Sequence, residues 1–131
     1  MELKHIRSFV AVAEHLHFGR AAEELHLSQP ALSAQIHNLE EELGVLLFRR
    51  DRRTVNLTAA GECFREEAQN LLSQAEHARR KVQLADRGLI GRLRVGFISS
   101  AAALLVPPLV IKFRALYPGV ELDLRNILTS D

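Results

Sequence analysis

The most restrictive feature of this sequence is an apolar repeat in its second half. Its members are Phe64, Ala68, Leu71, Ala75, Ala78, Val82, Ala85 and Leu89. Their spacing alternates between four and three positions, which places them along one side of an α-helix. A helix over residues 58–87 would be about 45 Å long. One helix cannot bury such a stripe, so the sequence predicts a long helix that packs against another.

Two partners for this stripe remain open. Its N-terminal part can pack on the chain's own first helix, whereas the rest requires a second chain. We therefore predict a homodimer or a higher homo-oligomer. The predicted dimer seam consists of Phe64, Ala68, Leu71, Ala75, Ala78 and Val82.

Three shorter helices are predicted before the long one. Apolar residues recur at helical spacing from Leu3, which indicates a first helix over about 2–16. The segment 17–19 breaks it, and a second helix follows from Arg20 to Leu25. After a turn at 26–28, a third helix covers about 29–43.

The third helix carries clear signals at both ends. Ser28 is a good N-cap, Pro30 lies in the first turn, and Gly44 is a C-cap candidate. The predicted buried stripe is Leu32, Ile36, Leu39 and Leu43. The opposite face then presents Gln29, Pro30, Ser33, Ala34 and His37.

A basic hairpin is predicted next. Strands at 46–50 and 54–57 flank a turn at 51–53, and four arginines lie within residues 49–53. The net charge of the chain is only +1, so the distribution of charge matters more than its sum. In isolation such a run favours a merely solvated surface. Beside a helix-turn-helix it indicates a wing that meets phosphate.

The remaining residues predict one βαβ unit. Gly88 and Gly91 bracket a hinge, a strand follows, and Pro107 is taken to start a helix before a second strand from Val120. The predicted fold is therefore mainly α, followed by an incomplete α/β segment. The expected regions are a winged helix-turn-helix domain at 1–57, a linker helix at 58–87, a hinge at 88–91, and the truncated start of an α/β domain at 92–131.

The exposed face of the third helix favours DNA binding. Its N-terminal amides and dipole attract phosphate, and its polar side chains suit base edges in the major groove. The predicted DNA-binding residues are Ser28, Gln29, Pro30, Ser33, His37, Arg50, Arg52 and Arg53. The competing interpretation is a solvated structural helix.

Four motifs stand out: A-A-x-x-L-x-x-S-Q-P-A-L-S over 21–33, I-x-x-L-E-x-x-L-G over 36–44, L-F-x-R over 47–50 and L-T-x-A-G over 57–61. Through these motifs the sequence resembles the LysR-type transcriptional regulators. The resemblance covers the whole DNA-binding region, and the segment 91–131 is similar more loosely to the start of that family's effector-binding domain. Where many members carry arginine this chain has Ala34, so that contact is not carried over.

The resemblance implies a bacterial, cytoplasmic regulator that binds double-stranded DNA as a dimer. It also implies a small-molecule effector, which the hydroxyl groups of Ser99, Ser100 and Thr129 suit if the effector is a carboxylate. The alternative is that these are turn and cap residues. A response to effector is expected only in a complete chain.

The sequence gives little support to other classes of protein. There is no nucleophile elbow, phosphate loop or convincing carboxylate pair, so we do not expect an enzyme. His15 and His17 lack further ligands, so no metal or cofactor is expected. The single cysteine, Cys63, is expected to be packed in the linker helix. No signal peptide or membrane span is expected. A protein-interaction module that uses the heptad seam remains the alternative function.

Overall fold

The computed structural model describes residues 1–127, except for the side chains of residues 99–101 and 103. The chain forms two compact units, Met1–Glu76 and His77–Asp131. The elements are α1 (Leu3–His15), α2 (Phe18–Glu24), α3 (Gln29–Leu43), β1 (Phe48–Arg50), β2 (Val55–Leu57), α4 (Ala59–Asp86), β3 (Gly91–Phe97), α5 (Ser99–Leu116) and β4 (Val120–Asn126). The predicted fold class is confirmed.

The core of the first unit lies between α1, α2, α3 and the base of the hairpin. Phe9 is its centre, because its ring lies 5.3 Å from that of Phe48 and 4.9 Å from that of Phe64. These tilted and edge-on arrangements are the favourable ones for aromatic pairs. One side chain of α1 therefore joins the hairpin and the first turns of α4.

The ends of α3 are where the sequence predicts them. The Ser28 hydroxyl accepts a hydrogen bond from the amide of Ala31, at 3.3 Å. Gly44 has a φ of 72°, in the left-handed region that ends helices. Of the predicted buried stripe, Leu43 is exposed instead, because it lies in the last turn beyond the core.

The start of α2 differs from the prediction. The helix begins at Phe18, two residues before the predicted Arg20, because the Nδ1 atom of His17 accepts a hydrogen bond from the amide of Arg20, at 3.0 Å. His17 thus serves as the N-cap, a role that serine or aspartate usually fills.

Thr58 joins the hairpin to α4. Its hydroxyl donates to the carbonyl of Leu46, at 2.7 Å, and accepts from the amide of Gly61, at 3.0 Å. Its own amide donates to the carbonyl of Leu47, at 3.0 Å. Gly61 packs so closely here that a Cβ would lie 2.1 Å from that carbonyl oxygen. The first turn of α4 is therefore fixed on the base of the hairpin.

The heptad stripe divides along α4. Phe64 and Ala68, together with Leu72, pack on the core of their own unit. Leu71 is 41% exposed and Val82 is 69% exposed. The helix ends at Asp86, so Leu89 lies beyond it. The expectation that Cys63 is packed is wrong, because Cys63 is exposed.

In the second unit, β3 and β4 pair in parallel, with Leu93 opposite Leu122 and Val95 opposite Leu124. The connecting helix α5 begins at Ser99, not at Pro107 as predicted, and it contains both Pro107 and Pro108. The prediction treated the proline pair as a helix start. Each proline removes one amide donor, and the rest of the ladder remains.

The βαβ unit leaves apolar surface uncovered. Leu109 and Ile111 of α5 are exposed, and a groove between helix and sheet is lined by apolar side chains. Within residues 1–127, no helix is long and apolar enough to cross a membrane.

Candidate nucleic-acid interface

The N-terminal half of α3 has one buried face and one exposed face. Leu32 and Ile36 are fully buried, whereas Gln29, Pro30 and Ala34 are exposed. Ser33 is half-buried, and His37 is exposed one turn further on. The predicted reading face is thus free of the unit's own core over more than two turns, which is what a helix entering the major groove needs.

The N-terminus of α3 is arranged to receive an anion. The Ser28 hydroxyl oxygen accepts from the amide of Ala31, which leaves its hydrogen free to donate. No acidic side chain lies in the first turn of α3. The dipole and the remaining amides of this end therefore favour a phosphate.

Asp51 builds the turn of the hairpin. One carboxylate oxygen, Oδ1, accepts from the amides of Arg53 and Thr54, at 2.9 and 3.0 Å. The amide of Asp51 donates to the carbonyl of Thr54, at 3.1 Å. These backbone hydrogen bonds hold the pKa of Asp51 below its ordinary value. The carboxylate is thereby committed to the turn.

Arg52 and Arg53 lie at the tip of this turn. Both are exposed, and no ion pair links either side chain to a carboxylate within the described part of the chain. The two guanidinium groups are therefore available to an external anion. Arginine suits phosphate because its planar fork can donate two parallel hydrogen bonds.

Arg50 is placed differently from the other predicted wing arginines. Its Nη2 atom lies 3.7 Å from Oε2 of Glu40, and its guanidinium carbon lies 4.5 Å from the centre of the Phe18 ring. Arg50 thus contacts α3 and α2 while belonging to β1. The sequence groups it with Arg52 and Arg53, and the structure separates it from them.

His37 also has a neighbour within the chain. Its Nε2 atom lies 3.9 Å from Oε1 of Glu41, one helical turn away, and both side chains are exposed. The pair is ionic only when the imidazole is protonated. An exposed pair of this kind holds its members weakly, so His37 remains free to turn toward DNA.

Sequence reasoning missed two polar residues that support this face. Glu40 is buried, although it belongs to a run of three glutamates. Ser8 of α1 is also buried, and its hydroxyl donates to Oε1 of Gln35. Helical phase could have found Glu40, because it lies four positions after Ile36 on the buried face. No local signal marks Ser8.

The other candidate residues fall outside this face. His15 pairs with Glu24 through its Nε2 atom, and His17 caps α2. Among the described residues there is no group of three or more potential metal ligands. Ser99 and Ser100 begin α5, but their side chains and the whole of Thr129 lie outside the described part of the chain.

Comparison with known families gives two matches. Residues 3–62 match the bacterial regulatory helix-turn-helix proteins of the lysR family, and residues 86–131 match the LysR substrate binding domain. The HTH-type transcriptional regulator AlsR of Bacillus subtilis (strain 168) is 46% identical over 130 residues, covering 99% of this chain and 43% of AlsR. The chain therefore spans less than half the length of such curated relatives.

Solved structures of LysR family regulators are also similar to this chain. The crystal structure of CbnR, a LysR family transcriptional regulator, superposes with a TM-score of 0.90 at 35% identity, covering 97% of this chain and 44% of CbnR. The crystal structure of a CbnR DBD–DNA complex is 40% identical, with a TM-score of 0.64, and covers 66% of this chain and 99% of that one. The second match falls on a protein that is bound to DNA.

Proposed function

The chain belongs to the LysR family of bacterial regulatory helix-turn-helix proteins, and from this we propose that it is a sequence-specific, DNA-binding transcriptional regulator. The observation that carries the proposal is the exposed face of the N-terminal half of α3. This helix lies in the same compact unit as the hairpin, and the tip of the hairpin exposes Arg52 and Arg53. Helix and hairpin provide the two parts that a winged helix uses, base reading and phosphate contact.

The proposed roles follow from exposure and chemistry. Gln29 reads a base edge by hydrogen bonds, and Pro30 contacts an apolar base surface such as a thymine methyl. Ser28, Ser33 and His37 donate to phosphates or bases. Arg52 and Arg53 pair with the backbone beside the groove, and Arg50 supports them from the last residue of β1, directly before the turn. The action is binding rather than catalysis, and we place it in the cytoplasm, where bacterial DNA lies.

We further propose that the protein acts as a dimer through α4. Phe64 and Ala68 are occupied by the core of their own unit, so the part of the seam that a second chain would cover runs from Leu71 to Val82. The boundaries that we propose are a DNA-binding domain at 1–57, a linker helix at 58–87, a hinge at 88–91 and an α/β segment from 92.

We also propose a small-molecule effector, of the carboxylate class, bound where β3 leads into α5. Support comes from the match to a substrate binding domain and from Ser99 and Ser100 at the start of an 18-residue helix. A hydroxyl-rich helix N-terminus suits a carboxylate. Calorimetric titration of the protein with a panel of aromatic and aliphatic carboxylates tests this.

The DNA-binding proposal is tested by selection from a random duplex library. We expect enrichment of one sequence, and affinity for it that falls steeply with salt because arginine contacts release counterions. Gln29→Ala should lower affinity for the selected duplex about tenfold, and less for random DNA. The matched control is Gln69→Ala, at an exposed glutamine of α4. Absence of any enriched sequence would overturn the proposal.

A further inference from the structure

Glu40 is an unusual residue for a small DNA-binding unit. Within residues 1–127, it is the one carboxylate among the buried side chains, and it is only 6% exposed. A buried carboxylate is costly unless hydrogen bonds and a counter-charge compensate for lost hydration. Its surroundings therefore show what keeps it there.

Three groups from the wing satisfy Glu40. Its Oε1 atom accepts hydrogen bonds from the amides of Leu47 and Phe48, at 3.0 and 3.3 Å. Its Oε2 atom lies 3.7 Å from the guanidinium of Arg50. All three belong to the first strand of the wing or to the residue before it, whereas Glu40 belongs to α3. One side chain thus connects the DNA-reading helix to the wing.

Arg50 extends this connection to a third element. Its guanidinium lies over the ring of Phe18, at 4.5 Å, and Phe18 is buried at the start of α2. A cation over an aromatic face is attracted to it, more strongly when partly shielded from water. Moving Arg50 out to a phosphate would leave the Glu40 carboxylate buried without a counter-charge, which is strongly unfavourable.

We propose that Glu40 and Arg50 are positioning residues, which fix the wing on the reading helix so that Arg52 and Arg53 meet the DNA backbone. Arg50 contributes to DNA binding through the orientation of the wing and does not itself neutralise a phosphate. This inference rests on the proposed DNA-binding function.

The decisive variant is Glu40→Gln, which retains an acceptor oxygen for the two amides and removes the charge that holds Arg50. Simple electrostatics predicts tighter DNA binding, because a negative charge is lost. Positioning predicts the opposite, a loss of roughly tenfold in affinity for the selected duplex. Glu66→Gln is the control, since Glu66 is an exposed carboxylate of α4 outside the proposed interface, and it should not weaken binding.

A second experiment places each change in a chain that carries Arg52→Gln and Arg53→Gln. If Glu40 and Arg50 act by positioning the tip, Glu40→Gln and Arg50→Gln lose most of their effect there, because no tip cations remain to be positioned. Affinities are compared by fluorescence anisotropy at a temperature where circular dichroism shows every variant folded. A direct phosphate contact by Arg50 would instead make Arg50→Gln weaken binding equally in both backgrounds.

The outcomes are separable. Unchanged or tighter binding by Glu40→Gln overturns the inference, and so does an equal loss from Arg50→Gln with and without the tip arginines, which would indicate a direct phosphate contact. Should Glu40→Gln fail to fold, the half-exposed Arg50→Gln decides alone. Failure of the unmodified chain to select any DNA would instead reject the proposed function.

Discussion

The Arg50 guanidinium lies 3.7 Å from the buried carboxylate of Glu40, so the wing is joined to the third helix by a charge pair as well as by two amide hydrogen bonds. Glu40→Ala removes all three interactions and leaves two buried amides without acceptors. We expect the free energy of unfolding to fall by about 2–4 kcal/mol. Urea unfolding measures it. Glu41→Ala, at the exposed neighbour, should change it by less than about 0.5 kcal/mol, and equal losses would contradict the expectation.

Gly61 should be intolerant of any side chain. In Gly61→Ala the new Cβ would lie 2.1 Å from the carbonyl oxygen of Leu47, so α4 would have to move off the base of the wing. We expect a loss of roughly 3 kcal/mol or more. Gly44→Ala is the matched control, because its Cβ meets nothing within 4 Å and only the positive φ opposes it. That change should cost about 1 kcal/mol. Thermal unfolding of both variants would refute this if the order were reversed.

The arginines at the wing tip should control the salt dependence of DNA binding. Arg52→Gln and Arg53→Gln are each expected to reduce the slope of log affinity against log salt concentration by about one, as for the loss of one phosphate contact. Their effect should be similar on selected and random duplexes, because backbone contacts carry no sequence information. Arg65→Gln, at an exposed arginine of α4, serves as control. A slope unchanged by both tip variants would remove the wing from the interface.

Substitutions at the exposed seam should separate association from folding. Val82→Asp introduces a charge on a side chain that is 69% exposed in the single chain, so the chain should stay folded and become monomeric. Leu71→Asp should act in the same direction. Ser73→Asp places the same charge on α4 away from the stripe and should leave the mass unchanged. Light scattering after gel filtration measures the mass, and a dimer that survives Val82→Asp would locate the interface elsewhere.

Asp51 should make the wing sensitive to acid. Its pKa is held below its ordinary value of 3.8 by hydrogen bonds from the amides of Arg53 and Thr54. Since the folded pKa is the lower one, the stabilisation is fully present above the unfolded value and is lost as the pH falls through the folded value. The stability difference between the natural chain and Asp51→Ala should therefore be largest near neutral pH and vanish in strong acid. Thermal unfolding across pH 2–7, with Asp86→Ala at an exposed aspartate as control, checks this.

Local signals explain why the ends of α3 were predictable. Ser28 and Gly44 act on atoms within a few residues of themselves, through an amide one turn away and through a left-handed backbone angle. The apolar periodicity likewise predicts the burial of Leu32, Ile36 and Leu39. These features depend on little beyond the helix itself.

The features that escaped prediction depend on distant parts of the chain. Glu40 is stable in the core only because amides seven and eight residues later donate to it. The need for Gly61 arises from a carbonyl in another segment, and no turn at Gly61 reveals it. Arg50 resembles Arg52 and Arg53 in sequence, and it differs only because Phe18 and Glu40 are near it in space. Cation count alone therefore overestimates how many arginines the wing offers.

The close contact between Gly61 and the carbonyl of Leu47 has a consequence for how two copies would sit on an operator. That contact and the two hydrogen bonds of the Thr58 hydroxyl fix the first turn of α4 on the base of the wing. If two copies pair at Leu71 and Ala75, which lie in the same compact unit as the wing, this contact would set the position of each reading helix relative to the pairing surface. Gly61 would thereby help to determine the spacing of the two half-sites on DNA.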